Sequence, residues 1–213
     1  ADIGIAMGQR GTQVAREAAD MVLTDDAFST IVAAVEQGRV IFGNIRRFIY
    51  YLMSCNVSEV MVVALASMLG TPLPILPLQI LFLNLVTDVF PALALGVGEG
   101  QEGVMSKKPR NPENPILGKS QWIGITSYGL VITVSVLSSL YIALYHLQLS
   151  PEKAVTISFL TLAMAQLWHV FNMGSAQESW WDNSVTRNPF IWGALLLCIG
   201  LLIGAVYIPV VSD

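Results

Sequence analysis

Charged residues are scarce in this chain of 213 residues: 12% are Asp, Glu, Lys or Arg, while 54% are hydrophobic. Soluble domains usually carry about a quarter charged residues, so this balance argues against a soluble protein and favours one that lies in lipid. The formal net charge is −4, and no run of basic residues with interleaved aromatics occurs. We therefore expect no nucleic-acid partner.

Cysteine and histidine are also rare, with two residues of each type. Cys55 and Cys198 lie far apart in apolar stretches, and neither belongs to a Cys-x-x-Cys pair. This arrangement argues against a disulfide framework and against a zinc site. It predicts instead that both side chains pack as small hydrophobic groups between helices.

Residues 1–38 differ from the rest of the chain. Alternating small and apolar residues predict a strand over residues 2–8, a short helix over 11–19 and a second strand over 21–24. Short strands that alternate with helices are typical of an α/β domain. Because 38 residues cannot bury a core of their own, we interpret this segment as the edge of a larger cytoplasmic domain and the chain as part of a longer protein.

Residues 39–213 contain long apolar segments, and a membrane-spanning helix needs roughly 20 such residues. The predicted helices are at about 40–70, 76–97, 119–147, 153–174 and 189–209. Asp25 and Asp26 are predicted to cap a helix that begins near Phe28. The first segment is longer than a span requires and starts with a polar turn, so its N-terminal part should project from the bilayer as a stalk. The predicted fold is therefore an all-α polytopic bundle of about five transmembrane helices with a short α/β segment.

Basic residues are concentrated on one side of the predicted spans. They are Arg46, Arg47, Lys107, Lys108, Arg110, Lys119 and Arg187, whereas the turn at 71–75 has none and the turn at 148–153 has only Lys153. By the positive-inside rule, the N-terminal segment is cytoplasmic. The short loops are compatible with a bacterial plasma membrane, and we expect an integral, multi-pass protein there.

Two of the apolar segments contain carboxylates that lipid should exclude. Each costs about 2.5–3.5 kcal/mol at the centre of a spanning helix, so its presence needs a reason. Asn56 and Glu59 are three residues apart and share one helix face. Asn84, Thr87 and Asp88 share a face of the next helix. Facing each other, the two sets would offer about five to seven oxygens, and hard cations such as Ca²⁺ take six to eight.

A proline strengthens the prediction of a cation site. Pro91 has no N–H, so the carbonyl of Thr87 loses its intrahelical donor and a backbone oxygen is freed beside Asp88. Irregular backbone at membrane depth is tolerated where it lines a cavity, and transporters coordinate ions there.

Other interpretations of these polar residues remain open. Glu59 and Asp88 could form hydrogen bonds between helices, or they could relay protons in place of a metal ion. Gln166 in the fourth span fits a cation ligand and an interhelical hydrogen bond equally well. His169 fits better as a hydrogen-bonded histidine near the interface than as a ligand.

Several motifs together resemble the P-type ATPases of type II, the branch that contains the calcium pumps. The runs ADIGIAMG at 1–8 and VAREAADMVLTDD at 14–26 are similar to the end of that family's phosphorylation domain. The runs NIRRF at 44–48, NVSE at 56–59 and NLVTD at 84–88 resemble its fifth and sixth membrane helices. The similarity covers nearly the whole chain and is dense through residue 118.

The resemblance implies a function and a set of ligands. The chain would be the C-terminal portion of an ATP-driven pump that exports Ca²⁺, with its spans the fifth to ninth of ten, and the ATP and Mg²⁺ would be used by upstream domains. The transport ligands it implies are Asn56, Glu59, Asn84, Thr87 and Asp88. The resemblance also matches Gln166 to the eighth-helix Glu of two-site pumps, and the loss of that charge would leave one ion site rather than two.

No catalytic residue is expected in this chain, since Asp2 lacks the DKTG context of the phosphorylated aspartate. The expected partners are membrane lipid, the transported cation, and the upstream helices and cytoplasmic domains of the same protein. The same oxygens would also suit Na⁺, K⁺ or Mn²⁺. Two alternatives come from other classes of protein: a secondary carrier that works without ATP, and a helical interaction module. The α/β segment argues against the carrier.

Overall fold

The computed structural model describes residues 3–100, 103–106, 108–111, 113–174, 179 and 181–207. Asp2 and Lys107, used in the sequence analysis, lie outside the described residues. The chain begins with the strand β1 (Ile5–Met7), the helix α1 (Gln13–Ala18) and the strand β2 (Met21–Leu23). β1 and β2 pair in parallel with Ala6 opposite Val22, so these residues form the β-α-β unit that the strand pattern predicts.

The prediction that two aspartates cap the following helix is wrong. The helix is preceded by Ala27, which makes no side-chain cap. Asp26 has a φ of 52°, a left-handed conformation that turns its carboxylate back toward the loop after β1. There it accepts hydrogen bonds from the backbone N–H groups of Gln9 and Arg10 at 2.9 and 2.8 Å, and these bonds lower the pKa of Asp26. Asp25 accepts from the N–H of Ala27 instead.

Within the described residues, five helices are long and apolar enough to cross a membrane, which confirms the predicted fold class. They are α2 (Phe28–Met68), α3 (Pro77–Gly96), α4 (Lys119–His146), α5 (Pro151–Met173) and α6 (Pro189–Tyr207). Leu85, Leu93 and Leu196 are among the many large apolar side chains exposed on their outer faces, as expected for surfaces in contact with lipid.

The helix α2 is one continuous element of 41 residues that begins at Phe28, so the helix predicted to start there and the span predicted from about residue 40 are a single helix. At 1.5 Å per residue it is about 60 Å long, twice the roughly 30 Å of a bilayer's hydrocarbon core. Its apolar stretch starts at about Phe48. We call residues 28–47 the stalk, since this part extends beyond the apolar stretch toward β1 and β2.

Helices α2 and α4 approach each other closely at Gly129. A Cβ placed there would lie 2.9 Å from Cγ1 of Val57 and 3.4 Å from the backbone nitrogen of Ser58. Beside this contact, the hydroxyl of Thr133 is 3.3 Å from the carbonyl oxygen of Ser58. The absence of a side chain at Gly129 therefore lets the two helices meet next to the buried polar residues of α2.

We expect Gly129→Ala to destabilise the protein by about 1–3 kcal/mol, because Val57 is β-branched and cannot move its Cγ1 without shifting the helix. The melting temperature of the purified full-length protein measures the effect. Gly200→Ala in α6 is the matched control, since a Cβ there would meet nothing within 4 Å. Equal melting temperatures for the two variants would contradict the close approach.

Candidate cation site

Glu59 joins three of the membrane helices. Its side chain is only 5% exposed on α2. One carboxylate oxygen accepts a hydrogen bond from the amide of Asn84 on α3 at 3.0 Å, and the other accepts one from the amide of Gln166 on α5 at 3.0 Å. Gln166, for which the sequence left two roles open, therefore belongs to the same cluster as Glu59.

Asp88 lies in the same interior and is 1% exposed. Neither of its carboxylate oxygens has a hydrogen-bond partner in the described part of the chain. The carboxylate of Glu59 and the thiol of Cys55 are close enough to interact with it electrostatically. A buried carboxylate without a strong donor or a cation is costly, so this group needs a positive charge or a proton to be stable there.

The helix α3 widens where these residues lie. Residues Leu83–Asp88 form a π-helical turn between two α-helical parts, and Pro91 follows in the second part. The irregularity that the sequence predicts near Pro91 is therefore a wider turn rather than an unwound segment. A π turn leaves some backbone groups outside the regular α-helical pattern, and such turns are frequent at functional sites.

Tyr51 covers the backbone of this turn. Its hydroxyl, fully buried, lies 3.4 Å from the carbonyl oxygen of Thr87 and 3.2 Å from that of Gln166. Both distances are long for a hydroxyl donor, so the Thr87 carbonyl is held only weakly. The hydroxyl of Thr87 itself donates to the carbonyl of Leu83 at 2.8 Å.

Asn56 is the predicted ligand that the described contacts do not link to the cluster. Its side chain is half-buried, and its amide donates to the carbonyl of Leu52 in its own helix at 2.9 Å. No hydrogen bond from this side chain to Glu59, Asn84 or Asp88 occurs among the residues that the structure describes.

Three residues near the site escaped the sequence reasoning. Tyr51 and Cys55 precede Glu59 at intervals of four residues, so an i, i+4, i+8 spacing along one helix face could have found them. Cys198 gave no such signal, because it lies on α6. Its thiol reaches the carbonyl of Val86 in the π turn at 3.2 Å.

His169 lies one turn beyond Gln166 on α5 and packs beside the cluster. It is 2% exposed and packs against the rings of Tyr51 and Tyr128, with centroid distances of 5.9 and 4.6 Å. Its Nδ1 is 3.2 Å from the amide of Asn172. This is the hydrogen-bonded histidine that the sequence favoured.

The available donor atoms decide which cations the cluster could hold. Within the described residues, no group of three or more His, Cys, Asp or Glu side chains is placed to hold a metal ion. A cation between α2, α3 and α5 would therefore be bound by two carboxylates together with amide, hydroxyl and backbone oxygens. Such donors suit a hard cation rather than zinc or copper.

The fold and its buried carboxylates define an integral, multi-pass membrane protein. The family described as "Cation transporting ATPase, C-terminus" matches residues 72–213. The chain therefore belongs to the P-type cation-transporting ATPases, as the C-terminal portion of such a protein, and the family resemblance inferred from its motifs is confirmed.

Calcium-transporting ATPases are among its most similar relatives. The chain is 42% identical to the "Calcium-transporting ATPase" of Bacillus subtilis over 212 residues, which are 98% of this chain and 23% of that protein. It is 36% identical to "Calcium-transporting ATPase 1" of Bacillus cereus, over 100% of this chain and 26% of that protein. A calcium-transporting ATPase of Listeria monocytogenes is 38% identical over 98% of this chain and 23% of its own length. The chain thus spans about a quarter of the length of these relatives.

Proposed function

We propose that this chain is the C-terminal part of an ATP-driven pump that exports Ca²⁺ across a bacterial plasma membrane, with its stalk on the cytoplasmic side. The observation that carries the proposal is Asp88, whose two carboxylate oxygens are buried without a hydrogen-bond partner among the described residues, beside Glu59. The relatives named as calcium-transporting ATPases support the choice of ion.

The charge of the cluster supports a divalent ion. Two carboxylates balance one Ca²⁺, and this balance matters more in a low-dielectric interior than at a surface. In the present arrangement, Asn84 and Gln166 donate their amide N–H groups to Glu59. When Ca²⁺ binds, Glu59 turns to the ion, and rotation of the two amides presents their oxygens as further ligands.

Release of the ion leaves two acidic groups close together in the membrane. Two neighbouring carboxylates without a cation do not both stay ionised in such a place, because each disfavours the charge of the other. The pair formed by Asp88 and Glu59 therefore takes up at least one proton when Ca²⁺ leaves. The pump would return H⁺ in exchange for the Ca²⁺ that it exports.

The domains upstream of this chain would supply the ATP chemistry, with Mg²⁺ bound to the nucleotide. Residues of the present chain would contribute the ion site and α2, which connects it to the cytoplasmic β-α-β unit without interruption. On this proposal, the chain alone neither hydrolyses ATP nor transports an ion.

The choice of ion is tested with the full-length protein in sealed vesicles. We expect Ca²⁺ to start phosphorylation by ATP at micromolar concentrations and ATP to drive the uptake of radioactive Ca²⁺. Activation by Mn²⁺, Na⁺ or K⁺ in place of Ca²⁺ would show a pump of the same family for another ion. Uptake that proceeds equally well without ATP would instead show a secondary carrier.

Tyr51→Phe tests the link between the π turn and α5. The variant keeps the buried ring against His169 but removes the hydroxyl near the carbonyls of Thr87 and Gln166. Because both contacts of the hydroxyl are long, it should contribute about 0.5 kcal/mol, so we expect about twofold weaker Ca²⁺ binding at equilibrium with little change in melting temperature. Tyr141→Phe on the exposed face of α4 is the matched control. Unchanged Ca²⁺ affinity in Tyr51→Phe would contradict a role for this hydroxyl.

A further inference from the structure

A cavity with basic walls lies between the stalk and the loop that follows α3. Its volume is about 490 Å³, and it is separate from the cation site. The cationic side chains that line it are Arg39, Arg46, Arg47, Lys108 and Arg110. The described residues that line this cavity include no Asp or Glu, so it would attract an anion.

The walls of this cavity are fixed by specific contacts. Arg39 donates to the backbone carbonyl of Val104 at 3.0 Å, which ties the loop to the stalk. The guanidinium of Arg110 lies 4.4 Å from the ring centre of Phe42, a cation–π contact that orients it. At the cavity's inner end, the amide of Asn44 donates to the carbonyl of Gly98 at 2.6 Å. The cationic groups are therefore gathered around a built cavity rather than scattered over a surface.

The depth of the cavity relative to the bilayer indicates what kind of anion reaches it. Arg46 lies thirteen residues before Glu59 in the same continuous helix, which corresponds to about 20 Å along the axis. Glu59 is near the middle of the apolar stretch of α2. The hydrocarbon core extends about 15 Å from the midplane and the headgroups to about 20–22 Å, so Arg46 lies at the level of the lipid headgroups.

We infer that this cavity binds the phosphate of an anionic lipid headgroup on the stalk side of the membrane. Arg and Lys side chains hold phosphate oxygens by charge-assisted hydrogen bonds, and Arg does so with two parallel bonds. Clusters of basic residues next to a membrane span are typical of such sites. Arg46 and Arg47 line the part of the cavity nearest the bilayer, and at headgroup depth they are placed to hold a lipid phosphate.

The test is lipid retention by the full-length protein, which does not depend on ion transport. The protein is reconstituted in phosphatidylcholine vesicles that contain phosphatidylglycerol, extracted in mild detergent, and its bound lipids are counted by native mass spectrometry. We expect phosphatidylglycerol to be retained above its share of the vesicle lipid. Each basic residue near a membrane surface contributes about 1 kcal/mol, or about fivefold, so Lys108→Gln with Arg110→Gln should weaken retention about 25-fold.

Matched variants separate this site from general charge effects. Arg10→Gln with Lys153→Gln removes the same charge from two positions outside the cavity and should retain the lipid as the wild type does. Arg110→Lys keeps the charge and should retain most of it. Arg46 is exposed on its helix, so Arg46→Gln provides a second measurement of lipid retention if the double variant folds poorly.

Three results would overturn the inference. The first is equal retention of phosphatidylglycerol by the wild type, by Lys108→Gln with Arg110→Gln, and by Arg46→Gln. This result is expected if another part of the full-length protein fills the cavity. The second is an equal loss in the control pair. The third is complete displacement of the lipid by millimolar inorganic phosphate, which would assign the cavity to a soluble anion.

Discussion

The Asp88→Asn variant of the full-length protein is expected to lose Ca²⁺-dependent phosphorylation by ATP. The substitution keeps the size of the side chain but removes one negative charge and replaces one carboxylate oxygen by an NH₂ group, which cannot bind a cation. Breaking a buried charge pair costs about 3–5 kcal/mol, so Ca²⁺ affinity should fall by at least about a hundredfold. Equilibrium binding of radioactive Ca²⁺ and phosphoenzyme formation at rising Ca²⁺ concentrations both measure this loss.

Asp182→Asn provides the matched control for this change. Asp182 is an exposed carboxylate in the connection between α5 and α6, where it forms an ion pair with Arg187. Exposed ion pairs contribute little, so the control should phosphorylate at wild-type Ca²⁺ concentrations. Wild-type Ca²⁺ dependence in Asp88→Asn itself would show that this residue is not a ligand.

The second large effect is expected from Gln166→Glu, which should raise the number of Ca²⁺ ions bound per phosphoenzyme from one to two. The amide of Gln166 now donates to Glu59, and a carboxylate in its place would face Glu59 with the same charge. Like charges at this distance are unfavourable in a low-dielectric interior unless a cation or a proton lies between them. A second Ca²⁺ would supply that positive charge.

Gln166→Met distinguishes charge from packing at this position. It preserves the volume and removes the hydrogen bond to Glu59, but it adds no charge, so one Ca²⁺ should still bind with reduced affinity. Ion counting by equilibrium dialysis, normalised to the phosphoenzyme, separates the variants. An unchanged count in Gln166→Glu would mean that residue 166 does not set the stoichiometry and only packs between helices.

The fold follows from the sequence to the extent that it depends on local pattern. Hydropathy and length located the five spans, because a helix in lipid must be apolar along its length. The sequence predicted a helix from near Phe28 and a span from about residue 40, but hydropathy could not show that the two form one helix, because the stalk between them is polar. The role of Asp26 was mistaken because its left-handed φ, which redirects the carboxylate, depends on contacts with a distant loop.

The site could be predicted only along single helices. Spacing placed Glu59 on α2 and Asn84 with Asp88 on α3, because helix periodicity fixes which residues share a face. The position of Gln166 against Glu59 depends on how α5 is rotated, which its own sequence does not determine. The contact of Cys198 with the π turn likewise depends on how α6 is rotated. Asn56 shares a helix face with Glu59, but its amide donates to a carbonyl of its own helix, which spacing alone could not predict.

The uninterrupted course of α2 has a geometric consequence for how the site opens. Phe28 and Glu59 are 31 residues apart in this helix, so about 46 Å of rigid rod separates them. A tilt of only about 5° about one end moves the other by about 4 Å, which exceeds the 2.3–2.6 Å of a Ca²⁺–oxygen bond. On the proposed function, a small rotation of the β-α-β unit would therefore act through a lever arm long enough to part the proposed ligands of α2 from those of α3, with no helix unfolding along the way.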